Sequence, residues 1–152
     1  MTENLIVLII LAVISIVDIK KKIIPNRLVF LIILTAFVRI LRIYIKTKKF
    51  SCIFPYFIGF LTAFFLCLIC CAVLKNSIGM GDIKLLLSLG LTFRADEFIK
   101  TVFGASLSAA AFSLVLIVMG KIKKNTGLPF APFIFIGALC VTAEDFILEV
   151  FK

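Results

Sequence analysis

Long apolar runs separated by short basic bursts constrain this chain more than any other feature. Runs of the size needed to enter a bilayer cover residues 5–19, 28–45, 55–74, 83–93, 101–119 and 130–143. A membrane helix takes roughly 20 apolar residues at about 1.5 Å of rise each. With 63% hydrophobic and 16% charged residues and a mean hydropathy of +1.26, the 152-residue chain has too little polar surface for a water-soluble globule. The pattern predicts an all-α integral membrane protein, a six-transmembrane-helix bundle with both termini on the same side, forming one membrane-embedded domain over residues 1–152. The first run follows Glu3, has no basic lead-in and no small-residue cleavage site after it, and reads as an anchor rather than a removable signal.

The net charge of +9 sits in bursts between apolar runs, which is membrane topology and a lipid-facing chain, not a nucleic-acid footprint. Six spans would gather the loops at 20–27, 75–82 and 120–129 on one face, yet the 17 Lys and Arg divide almost evenly between the two sides, so the positive-inside rule does not orient the bundle. Lys20 to Lys22 and Lys121 to Lys124 read as headgroup anchors. Arg39 and Arg42 are expected to snorkel toward the headgroups from the end of the second run. The fourth run is too short to cross unaided and is expected to extend to Glu97, to tilt, or to start below the surface. The odd count of five cysteines and the absence of histidine argue against a disulfide framework or a metal site.

Acids are sparse and lopsided, and Asp18 and Asp82 stand apart from the rest. Counted from Glu3, Asp18 lies about 22 Å along its helix, inside a hydrocarbon core of roughly 30 Å. Counted from Asp96 as the outer marker of the fourth run, Asp82 reaches about 21 Å from the same side. Each alone has an ordinary reading, Asp18 as a turn residue before the lysines and Asp82 as a helix cap or lysine partner. Two intramembrane carboxylates at one depth instead mark a functional site. Such a pair does not ionise twice cheaply, so one member keeps a proton while the other acts as a base. A water held between them would be deprotonated by the ionised member for attack on a carbonyl, which the protonated member polarises. This chemistry is aspartic peptide hydrolysis and requires neither metal nor cofactor.

Asp18 followed by Ile24-Pro25-Asn26, then Gly79-Met80-Gly81-Asp82-Ile83-Lys84, then Pro129-Phe130-Ala131-Pro132-Phe133 resembles, in order and spacing, the three signatures of the type IV prepilin peptidases, which are GxGD-type intramembrane aspartic proteases. The resemblance implies that Asp18 and Asp82 are catalytic, with Pro25, Asn26, Gly79, Gly81, Lys84, Pro129 and Pro132 as supporting motif residues. It further implies an active site at the cytoplasmic face of the inner membrane, and substrates that are pilin-like precursors with a short basic leader before an apolar helix. Longer members carry a cytoplasmic domain with paired CxxC motifs and also N-methylate the new N-terminus with S-adenosylmethionine. The short first loop leaves no room for that domain, so peptidase activity without methyl transfer is expected. The CxxC formed by Cys67 and Cys70 lies inside the third run and reads as packing. Other readings are a GxGD protease of the presenilin or signal-peptide-peptidase type, and a small transporter using its paired acids as an ion site.

Overall fold

The structure is a computed structural model in which residues 2–74, 79–120 and 129–151 are described, with the side chains of 2–3, 74 and 148–150 left aside. Lys75, Lys121, Lys123 and Lys124 therefore lie outside the described residues. Among the described residues there are six α-helices: α1 (Thr2–Lys21), α2 (Asn26–Thr47), α3 (Phe54–Leu74), α4 (Met80–Thr92), α5 (Ala95–Val118) and α6 (Ala131–Val150), with a 3-10 turn at Phe50–Cys52. Each helix contains or overlaps one of the apolar runs, because a backbone at membrane depth satisfies its polar groups only within its own helix.

Contacts between helix ends define the two poles of the bundle. At one pole the last turn of α1 meets the first turn of α6, where the Ala131 N–H donates to Asp18. At that same pole the start of α2 meets the start of α4, through Asn26 and Lys84. At the opposite pole Lys100 of α5 pairs with Glu144 of α6 at 2.7 Å. The strongest packing partners are α5 with α6, α3 with α4, α1 with α6 and α2 with α4. The short α4 is the most enclosed element, with Leu85, Leu86, Ser88, Leu89, Gly90 and Thr92 all buried.

Small residues set the closest approaches. A Cβ on Gly90 would run into Ala63, and one on Gly137 would run into the carbonyl of Thr101, so α4 seats against α3 and α6 against α5 at backbone distance. Hydroxyls inside the helices are satisfied locally: Ser15 donates to the Leu11 carbonyl and Thr92 to the Ser88 carbonyl, each one turn back.

Three helical segments, Asn26–Thr47, Phe50–Val73 and Ala95–Val118, are long and apolar enough to cross a membrane. The chain is thus an all-α, multipass membrane protein. One expectation changes. α4 does not extend to Glu97: it ends at Thr92, and the Arg94 backbone N–H turns to the Glu97 carboxylate at 3.1 Å, which starts α5. Asp96 is accordingly in the first turn of α5 and marks that helix, not α4. Arg39, expected to reach toward the headgroups, is held at the bundle pole away from Asp18. Its Nη1 donates to Asn4 Oδ1 at 2.8 Å and to the Thr92 carbonyl at 3.1 Å, and its guanidinium lies 5.3 Å from the centre of the Tyr56 ring. α4 ends here among buried side chains such as Phe93, and Arg39 supplies a donor to one of its terminal carbonyls.

Candidate active site

Asp18 sits in the last turn of α1 and is 5% exposed. The helix closes just beyond it, where the Lys22 N–H returns to the Asp18 carbonyl at 2.8 Å and Lys22 takes the left-handed conformation with φ of 52°. That turn buries Ile24 and delivers Pro25 to the N-cap of α2 in extended conformation, so that Asn26 becomes the first residue of the helix. Proline suits this place because the N–H it lacks would have had no helical partner.

Asp82 lies in the first turn of α4, after Gly79 as N-cap. The Gly79 backbone N–H lies against its carboxylate, and a side chain on Gly79 would come 3.1 Å from Asp82 Oδ2. Gly81 has a different role. A Cβ there would fall 3.0 Å from the Cβ of Ile24, so its bare backbone lets the start of α4 lie directly on the α1–α2 connection. Lys84 then reaches Asn26 Oδ1 at 3.3 Å and ties the two motifs together at the rim.

The result is a cleft of about 320 Å³ whose walls include Asp18, Lys22, Asn26, Gly79, Gly81, Asp82 and Lys84. The two carboxyls are close enough to interact electrostatically. The third motif arrives from α6. Ala131 is its first residue, and its N–H, which has no helical acceptor, donates to Asp18 Oδ2 at 3.2 Å. Pro132 follows in the same turn, half-buried, where its missing N–H costs nothing. Pro129 is half-buried just before the helix, and neither proline is part of the cleft wall. A tilted contact of the Phe133 and Phe112 rings, 5.7 Å between centroids, holds this end of α6 on α5.

Two features escaped the sequence. Lys22, read as a headgroup anchor, lines the cleft. The Ala131 amide has no side-chain signal at all, although a helix start placed at a Pro-flanked residue was a hint that free N–H groups would be available there.

An all-α membrane protein that brings two acids from separate helices into one cleft is the general type defined by this geometry. The sequence model of the type IV leader peptidase family matches residues 5–114, and the chain belongs to that family. It is 25% identical over 130 residues to the prepilin leader peptidase/N-methyltransferase of Bacillus subtilis (strain 168), an alignment covering 85% of this chain and 50% of that protein. The chain therefore spans about half the length of the curated relative it matches. No solved structure matches it.

Proposed function

We propose that this chain is an intramembrane aspartic endopeptidase that removes the short basic leader of type IV pilin-like precursors. The observation that carries the reading is the cleft in which Asp18 of α1 and Asp82 of α4 stand together, with the α6 amide on Asp18. In this reading one aspartate is ionised and the other protonated. The ionised carboxylate takes a proton from a water lying between the two as that water's oxygen bonds to the scissile carbonyl carbon, and the protonated carboxyl donates a hydrogen bond to the carbonyl oxygen. Collapse of the tetrahedral adduct breaks the C–N bond, and a carboxyl proton goes to the leaving amine. The Ala131 N–H holds Asp18 in one orientation, and Gly79 and Gly81 leave backbone open for an extended substrate. Pro25, Asn26, Lys84, Pro129 and Pro132 shape the elements that meet there.

The reading includes six spans in a single domain over 1–152, with both termini on the side away from the cleft and the cleft at the cytoplasmic face of the inner membrane. Asn4 of α1 and Asp145 of α6 line one recess, which supports termini that lie together. Cleavage without methyl transfer also belongs to the proposal and is supported by the short connection between α1 and α2. No cofactor is required. The test is co-expression with a pilin-like precursor: the precursor shifts to lower mass on a gel, and the mature N-terminus carries a free, unmethylated amine by mass spectrometry. An unshifted precursor alongside proton flux in vesicles would replace the peptidase with a transporter.

A further inference from the structure

The consecutive helices α2 and α3 make little direct contact with each other. Both pack on α4 instead, and α4 becomes the floor of a groove between them. The groove has a volume of about 330 Å³, with Phe30 and Ile33 of α2 on one wall, Phe60 of α3 on the other and Leu87 and Leu91 of α4 beneath. Phe30 and Ile33 are exposed, so the groove opens sideways to the bilayer. Near its far end, on the same helices, Tyr56 of α3 lies beside the Arg39 guanidinium of α2.

The near end is different: Asn26 and Lys84 line both the groove and the cleft of the two aspartates. The other lipid-facing recesses do not have this continuity. Those between α1 and α6 and between α3 and α5 share no lining residue with the cleft. A bound chain leaving the cleft past the Asn26–Lys84 pair would enter a trough directed into the membrane, apolar but for Ser88, whose hydroxyl is turned to the Leu85 carbonyl of its own helix. From Lys84 to Leu91 the floor runs about 10 Å, or about two helical turns.

We propose that this groove docks the apolar helix of the substrate, holding the first two turns that follow the scissile bond while the basic leader stays at the polar mouth. The proposal rests on the peptidase reading and adds the surface that selects the substrate. A leader followed by an apolar helix changes from polar to apolar along its length in the order the cleft and groove do, and lateral access lets the helix enter without leaving the bilayer.

Two measurements in liposomes test it, with a synthetic precursor bearing a basic leader and one apolar helix as the probe. A photoreactive residue replacing Ile33 in the Asp82→Asn variant is expected to crosslink to the precursor, and one replacing Leu107, exposed on α5, is not. Leu91→Trp, which fills the floor, is expected to raise KM for the precursor about fivefold or more while leaving cleavage of a helix-less leader peptide unchanged, because only a groove contact is lost. Leu107→Trp serves as the surface control. Crosslinking from position 33 without cleavage by the parent enzyme would uphold docking and sink the peptidase reading. Normal cleavage with equal crosslinking from 33 and 107, or with crosslinks from 33 to lipid alone, would overturn the docking proposal, as would a Leu91→Trp effect of equal size on the helix-less peptide.

Discussion

Gly81 has no side chain because Ile24 occupies the space one would need, and that single contact sets how closely the second motif approaches the first. Gly81→Ala is expected to cost about 1–3 kcal/mol of strain, relieved by pushing α4 away from the α1–α2 connection. A displacement of even part of an ångström at a site of this kind lowers the rate by about tenfold or more. The double variant Gly81→Ala, Ile24→Ala restores the space and is expected to recover much of the rate of the parent. Initial rates on a precursor in liposomes check it, and a double variant slower than Gly81→Ala would show that the contact is not what matters. Asn26 and Lys84 make the other direct link between these motifs, and both were legible in the sequence as motif residues, although the bond between them was not.

At the scale of the helix, α4 is the unusual element. It carries Asp82 in its first turn and stops at Thr92, deep among buried side chains, where Arg39 accepts the task of satisfying its terminal carbonyl. Arg39→Met would leave that carbonyl unpaired at a cost of about 1–3 kcal/mol, and would also release Asn4 of α1. A lower thermal midpoint in detergent is expected, with part of the loss recovered by Arg39→Lys, which keeps a donor. Equal midpoints for parent and Arg39→Met would contradict this role. The sequence located all six helices because hydropathy interrupted by charge is a local signal. Their ends were less legible, since hydrogen bonding carries helices into polar flanks: α1 runs on through Lys20 and Lys21, and α5 begins at Ala95 well before its apolar stretch. Of the three readings of the short fourth run, extension to Glu97 fails because Arg94 and Glu97 form a local cap that starts α5, a bond that span length does not anticipate. The close seating of α3 on α4 had a readable trace in Gly59 and Ala63, four residues apart on one face.

At the scale of the whole molecule, a shared site for the acids of α1 and α4 requires helices that alternate in direction across the bilayer, so that both acids come to one side. Single cysteines at positions 22 and 48, in a background freed of the native five, are expected to be labelled from opposite faces of the membrane, with 22 on the cytoplasmic side. Labelling of both from one side would mean that α2 does not cross and that the two poles of the bundle do not correspond to two membrane faces. Depth along the helices already paired Asp18 with Asp82, but the seating of the α6 amide on Asp18 was not legible, because it depends on packing along every helix between them. The central claim is that Asp18 and Asp82 act as one catalytic unit, and its most direct measurement is precursor cleavage by purified Asp18→Asn, Asp82→Asn and the double variant in liposomes. Because an amide supplies neither the base nor the shared proton, each single variant is expected to lose cleavage completely and the double variant to lose no more, while Asp96→Asn and Asp145→Asn at the opposite pole keep most of the activity of the parent. Substantial cleavage by either single variant, inserted normally in the membrane, would contradict the account.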